Sequence, residues 1–467
     1  MSAVPPLNQI AFSVVDLRRT EAWFREGCGL LPAGGSRRMM RGPIAARVQG
    51  LPGAASTCWW LVARNPWVQF EFFQFERPVA RLMPHDFRPC DTGYTRIGLW
   101  VSDFDATLER LARLDTVPLT APLGARGARR ACVRSPDGVF VELMEADPLP
   151  VGPGRGREAC GTAVRSVTLS VPDLDQTVAF FGRALGLPRA AAALHGHEHE
   201  SLWGLAGAQT RSAVFTAGDV LVEAAQYLEP KGRPWPEGYR ISDQGILNIA
   251  FGARSRADHD AIVERAVAGG ARPNCRPVHL PGAGVVYVND PQGFSVELLW
   301  MKPGRPDRDW GFEPPPRGQR PPPDTHRVTR TVRVSAPVER AWDVLMDHEG
   351  MSAWSGFDPV TLERPGEIER NGRGAERRLS GPLGAFVEQV TCAERPRLLR
   401  YRVIAGSPFA CHQGEIKLEP DDGRTRITWS VRFRPRIPGT GALLQALFGR
   451  VLGSVMRGPL AQRIEKP

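Results

Sequence analysis

IAFSVVDLRRTEAWFREGCGLLPAGG at residues 10–35 and VTLSVPDLDQTVAFFGRALGLPRAAA at 167–192 are two versions of one pattern. In each, a run of apolar and β-branched residues reaches Asp16 or Asp173. Apolar residues then recur at helical spacing until a Gly-Leu pair closes the stretch. An aspartate just ahead of such a period reads as a helix cap, because its carboxylate can accept the free amides of the first turn. The match continues downstream, where SPDGVFVELMEADP at 135–148 answers NDPQGFSVELLWMKP at 289–303. Each copy is doubled again, by IGLWVSDFDATLERLARL at 97–114 and by IAFGARSRADHDAIVERAVAGGARP at 249–273. Every quarter therefore reads as a β run, an Asp or Ser opening an amphipathic helix, and further β runs. A repeat this long denotes folded modules rather than a solenoid.

Working outward, two stretches lack any apolar period. PLPVGPGRGREACG at 148–161 is rich in Pro and Gly, and KPGRPDRDWGFEPPPRGQRPPPDTH at 302–326 reads as an extended, Pro-rich spacer. They divide the chain into a first module at 1–148, a linker at 149–161, a second module at 162–303, a second linker at 304–326 and a third domain at 327–467. The third domain opens with RVTRTVRVSAPVERAWDVL. Here an alternating strand leads to Ser335 as helix cap, with Pro337 in the first turn. Alternating runs follow, FVEQVTCAE, RLLRYRVIAG, HQGEIKLEP and TRITWSVRFRP, and a largely apolar helical stretch closes the chain. Arg450, Arg457 and the glycines of that stretch favour a helix packed in a sheet over one lying on a membrane. The fold class is α+β.

A chain of 467 residues exceeds one hydrophobic core and implies roughly three domains. At 42% hydrophobic and 24% charged it has the balance of a globular protein. No apolar run reaches the ~20 residues that span a bilayer and no secretory signal pattern opens the chain, so the expected location is cytoplasmic without membrane insertion. The eight cysteines show no CxxC spacing, which argues for reduced thiols. A net charge of +10 raises the question of nucleic acid. The cations are mostly scattered arginines with no block longer than a pair, as in solvated surface, so no nucleic-acid partner is expected.

The two modules resemble the vicinal oxygen chelate superfamily, which includes glyoxalase I, extradiol dioxygenases and bleomycin resistance proteins. The VxDL before the helix and the PxG followed by VEL carry that resemblance. The third domain is similar to START-like polyketide cyclase/dehydrase proteins, chiefly through SAPVERAWDVL. The first resemblance implies paired βαβββ units curling into a cup with a divalent metal on its floor. The second implies a helix-grip domain, a curved antiparallel sheet around a long C-terminal helix and a cavity for apolar ligands.

In the first family the metal ligands start the first strand of each half and sit in the VEL strand. Those places hold Gln9, Glu71, Arg96 and Glu142 in module one, and Ser166, Glu223, Asn248 and Glu297 in module two. Arginine has no lone pair to give a metal, so module one is expected to bind none, with Arg96 lying between Glu71 and Glu142 in its place. The all-oxygen set of module two leaves three readings: a metal-free hydrogen-bonded pocket, a hard divalent cation, or a carboxylate pair, Glu223 and Glu297, acting as general acid and base. No metal ligand and no cofactor is assigned. Ser166, Asn248, Tyr239, Arg240, Asp243 and Gln244 are expected to line the substrate pocket, with His412 in the third domain. Glu388, Tyr401, Glu415 and Trp429 are weaker candidates there.

HGHEHESLWGL at 195–205 alternates three histidines, which as a strand would share one face. ESLWGL suits a short helix better, and the stretch lies away from every inherited ligand position, so it is not read as a metal site. The function expected is an enzyme acting on a hydrophobic, polyketide-like, aromatic or steroid-like compound by non-redox cyclisation, dehydration or isomerisation. The alternatives are a protein that binds or sequesters such a compound, and a metal-dependent glyoxalase or dioxygenase. The partner is a small hydrophobic ligand, and a homodimer is allowed.

Overall fold

The computed structural model describes residues 5–36, 39–149, 157, 160–315, 326–381, 384–407 and 409–466. The chain forms two compact units, Met1–Pro322 and Pro323–Pro467.

In the first unit the four quarters fold as their sequences predict. The caps are in place: Asp16, Asp103, Asp173 and Ser255 accept from the amides of Arg19 (3.2 Å), Ala106 (2.9 Å), Gln176 (3.0 Å) and Asp258 (3.1 Å). The strands ahead of them, Leu7–Ser13, Gly93–Val101, Thr162–Ser170 and Gly245–Ala253, are buried along almost their whole length. Such strands have both faces covered.

The architecture of paired βαβββ units stands, but the partners differ from those expected. Leu7–Ser13 runs antiparallel to Gly245–Ala253, so the first and fourth quarters share a 10-stranded sheet. Gly93–Val101 runs antiparallel to Thr162–Ser170, so the second and third share a 6-stranded sheet. The pairing crosses the repeats. All four first strands present equivalent buried edges, and the arms at 78–92 and 230–244 carry alternate quarters across. The arms are tied to each other: Arg81 reaches Asp243 (2.6 Å), and Asp91 is shared by Arg88 (2.8 Å) and Arg233 (2.6 Å).

The stretch 302–326 is only partly a spacer. Arg305–Asp309 forms a short helix, Asp307 pairs with Arg254, and Phe312 is buried against Trp67. Residues 316–325 lie outside those described, as does most of the linker at 150–159. None of the eight cysteines is joined in a disulfide.

The second unit is a 7-stranded antiparallel sheet, ordered His326–Val334, Arg424–Pro435, Phe409–Asp421, Leu398–Ala405, Gly384–Glu394, Glu376–Gly381, Val360–Arg364. Helix Val338–Met346 begins at Pro337 rather than Ser335, whose amide instead donates to Glu465 (2.7 Å). The closing helix, Gly441–Val455 and on through Ala461–Glu465, buries Gly449, Leu452, Gly453, Met456, Leu460 and Ile464. Arg330 Nε donates to the Gly449 carbonyl at 2.8 Å, fastening the helix to the first strand of the unit. Leu443, Leu447 and Val451 stay exposed on its far side. Among the described residues no helix is long and apolar enough to cross a membrane.

Candidate functional site

Crossed pairing regroups the ligand positions. In the outer-quarter sheet, Ala11 stands beside both Glu71 and Asn248, and Ala250 stands beside Glu297. Gln9, Glu71, Asn248 and Glu297 therefore form one site. Gln9 Nε2 donates to Glu71 Oε2 (2.8 Å), while Cys58 Sγ (3.1 Å) and Trp60 Nε1 (2.9 Å) donate to its other oxygen. Burial lifts Glu71 to about 7, against the pull of those donors. Glu297 is raised well above the usual carboxylate range, first by burial and then by the charge of Glu71. Tyr287, paired with Glu297 across the strands, turns its phenol towards Asn248. Gln9 Oε1 and Glu297 Oε2 are buried without a hydrogen-bond partner. The walls are apolar: Val48 and Leu51, on and just after helix Pro43–Gln49 of the first quarter, cluster with Phe73, Phe75, Leu247 and Tyr287.

A divalent cation, which the vicinal oxygen chelate resemblance implies, fits this donor set. Four side-chain oxygen donors, two of them carboxylates, with buried oxygens wanting a positive partner, match a hard ion. Among the described residues no group of three His, Cys, Asp or Glu side chains is arranged to hold a metal, so binding here depends on the two amides.

The inner-quarter site holds Arg96, Glu142, Ser166 and Glu223, and it is filled by the protein itself. His195 enters between the carboxylates, Nδ1 to Glu223 (2.8 Å) and Nε2 to Glu142 (2.8 Å). Arg96 Nη2 (3.1 Å) and Thr168 Oγ1 (2.9 Å) also reach Glu223, and Arg130 reaches Glu142 (2.9 Å). Burial opposes a charged imidazole, but Glu223 and Glu142 outweigh it and raise His195 to about 9. Glu142 and Glu223, although desolvated, are held below the usual range by the same contacts with His195. Behind His195 the chain turns into the short helix His197–Trp203, and Trp203 lies over the Arg96 guanidinium at 3.6 Å. Ser166 packs over Gly98, where any Cβ would strike its hydroxyl. A cation does not fit here, because both ring nitrogens and the carboxylates are engaged and arginine offers no lone pair.

Several expectations need correcting. Arg96 pairs with Glu223 rather than bridging Glu71 and Glu142, because Glu71 lies in the other sheet. Glu223 and Glu297 are not brought together, nor are Ser166 and Asn248, for the same reason. HGHEHESLWGL does form the short helix predicted for ESLWGL, yet His195 reaches the centre of a site from which histidine had been read as absent. The signal was the length of chain between Leu187 and Gln209, ample to fold back over the sheet.

Tyr239, Arg240, Asp243 and Gln244 brace the crossover arms instead of lining a pocket mouth. Tyr239 stacks on Trp235 (4.2 Å), Asp243 takes Arg81, the Arg240 amide donates to Asp243 (3.0 Å), and Gln244 Nε2 donates to Asp137 (2.9 Å). In the second unit, Glu388, Tyr401, His412 and Trp429 are buried, whereas Glu415 is half-buried against Arg400 (2.7 Å). Burial alone lowers His412 to about 4, among Phe409 and Phe448. Cys58, Trp60, Tyr287 and His195 escaped the sequence reading. Of these only His195 sits in a stretch the composition marks out.

Residues 163–298 match the family model described as the glyoxalase/bleomycin resistance protein/dioxygenase superfamily, and 325–466 match polyketide cyclase/dehydrase and lipid transport. The first match covers the third and fourth quarters, which sit in different sheets. No curated protein matches the chain. Among solved structures, glyoxalase I from Zea mays is 16% identical, covering 64% of this chain and 92% of its own, with a TM-score of 0.43. An aromatase/cyclase from a Streptomyces species is 20% identical over 30% of this chain and 93% of its own, with a TM-score of 0.27. A START superfamily protein from Mycobacterium smegmatis is 19% identical over 30% and 97%, with a TM-score of 0.28. The chain thus joins two family matches, residues 163–298 to the glyoxalase/bleomycin resistance protein/dioxygenase superfamily model and residues 325–466 to the polyketide cyclase/dehydrase model, and the first two quarters repeat the pattern of the matched pair.

Proposed function

We propose that the protein is an enzyme acting on a hydrophobic, oxygenated compound of polyketide-like or aromatic type, by non-redox proton transfer at the outer-quarter site. The reaction is an isomerisation, dehydration or cyclisation through an enol. One observation carries this reading: two buried carboxylates of opposite repeats, Glu71 and Glu297, share one apolar-walled site, and one of them keeps a free oxygen. Glu71 is positioned by three donors, so it orients and carries charge. Glu297 Oε2 is the atom available to take a proton from carbon beside a carbonyl and return it; because burial and the Glu71 charge raise Glu297, its ionised form is the stronger base and the rate should climb with pH as that form is populated. The Asn248 amide and Tyr287 phenol supply hydrogens for the developing enolate oxygen. A hard divalent cation, when held by Gln9, Glu71, Asn248 and Glu297, would polarise a substrate oxygen.

Exchange of α-deuterium into benzoylacetone and larger aromatic diketones in D2O, followed by NMR, tests this. Wild type and E223Q are expected to catalyse exchange, and E297Q to lose it by about 100-fold or more. Exchange undiminished in both E71Q and E297Q, or none in wild type, would overturn the reading in favour of a binding protein.

A further inference from the structure

The crossed sheets set both carboxylate pairs on one backbone template. In the inner-quarter site Glu223 stands beside Thr168 and Glu142 beside Gly98, each two residues past a first-strand position, Ser166 or Arg96. In the outer-quarter site Glu71 stands beside Ala11 and Glu297 beside Ala250, again two residues past Gln9 and Asn248. The antiparallel joins agree as well, Gly98 facing Ser166 as Ala11 faces Asn248. Glu71 and Glu297 are thus set across their sheet as Glu223 and Glu142 are across theirs.

What lies between the carboxylates differs. In the inner pair it is the His195 ring, one nitrogen on each carboxylate at 2.8 Å, with Arg96 and Arg130 adding charge. The chain delivers His195 just ahead of the short helix His197–Trp203. The first quarter has its own short helix, Pro43–Gln49, but this brings Val48 and the following Leu51 to the outer site, and Arg41, two residues ahead of it, is exposed. Among the described residues no Arg, Lys or His acts on Glu71 or Glu297. Gln9 Oε1 and Glu297 Oε2 are left as buried acceptors without a donor.

A buried acceptor left dry forfeits its hydration, and two neighbouring carboxylates repel unless a positive group lies between them. The walls, Val48, Leu51, Phe73, Phe75 and Leu247, suit an organic body rather than the water shell of a small ion. A group that meets these needs is flat, positively charged and carries N–H bonds on two sides.

We propose that the outer-quarter site takes a ligand whose planar nitrogen cation, of amidine, guanidine or imidazole type, bridges Glu71 and Glu297 as His195 bridges Glu223 and Glu142, its apolar part lying against Phe73 and Phe75. The proposal rests on the geometry of that site, not on the proton transfer proposed for it. A compound held in this way covers Glu297 Oε2, so it blocks that chemistry rather than undergoing it.

Isothermal titration of the full chain with benzamidine, benzamide and benzyltrimethylammonium tests it without any turnover. Benzamide has nearly the same shape without the charge, and benzyltrimethylammonium has the charge without an N–H. Wild type is expected to bind benzamidine about tenfold more tightly than either, since charge-assisted hydrogen bonds are the stronger kind. E71Q and E297Q should each remove the preference, and E223Q, which alters only the inner-quarter pair, should keep it. Should a variant fail to fold, the three-ligand comparison in wild type still decides the matter. Equal affinity for the three ligands, or none for any, would overturn the proposal, as would a benzamidine preference that survives E71Q and E297Q. Binding of magnesium chloride with no benzamidine preference would overturn it in favour of a metal ion.

Discussion

An imidazole bonded through both nitrogens to two carboxylates is held in its charged form, and His195 is so placed at 5% side-chain exposure. Its pKa is raised from 6.5 to about 9, so folding favours the protonated ring. The stabilisation is complete below the unfolded value near 6.5 and is lost as pH climbs through 9, by up to about 3 kcal/mol. Denaturant unfolding between pH 6 and 10 should show that decline in wild type, and H195Q should lack the slope. At this scale the sequence was an uneven guide. All four caps and both VEL glutamates were legible, because they depend on neighbours in the chain. His195, Cys58 and Tyr287 were not, because their meaning comes from carboxylates brought in from other strands. Asp243 and Gln244 misled for the same reason, their partners Arg81 and Asp137 being more than a hundred residues away.

The helix His197–Trp203 is the element that closes the inner-quarter site. It is anchored by Trp203, 2% exposed, which covers Arg96 and donates to Glu200 (2.6 Å), itself bonded by the Tyr227 hydroxyl (2.9 Å). Leu202 and Trp203 pack with Cys132 and Phe140 from the second quarter, so the helix joins two quarters. Trp203→Ala should cost about 3–5 kcal/mol in denaturant unfolding, with deuterium exchange at the outer-quarter site retained. Loss of exchange without loss of stability would instead place the working chemistry in the inner site. The elements themselves were readable from apolar period and turn residues. The exceptions include helix Pro43–Gln49, which falls where only β runs were expected, Arg305–Asp309, obscured by proline, and the helix start at Pro337.

Across the whole molecule, the two repeats cannot be separated along the sequence boundary that divides them. Each would leave two first strands without their antiparallel partners. The fragment 1–149 is therefore expected to be monomeric and folded only with 160–315 present, whereas cutting the chain within 316–325 should leave two cooperatively folding pieces, their cores sharing no residue. Size-exclusion chromatography and circular dichroism of the separate and co-expressed fragments check this, and a folded monomer of 1–149 alone would contradict it. The repeat was plain in the sequence. Which quarters pair was not, since four similar strands fit either arrangement.

Crossed pairing also changes what a duplication hands down. At the first-strand positions the outer site holds two carboxamides, Gln9 and Asn248, and the inner site a cation and a hydroxyl, Arg96 and Ser166, each pair drawn one from either copy. Neither copy is the altered one. The two halves of the gene have diverged by rooms rather than by copies, so a recombination event that exchanged whole repeats would carry half of each room with it and leave both furnished with mismatched walls.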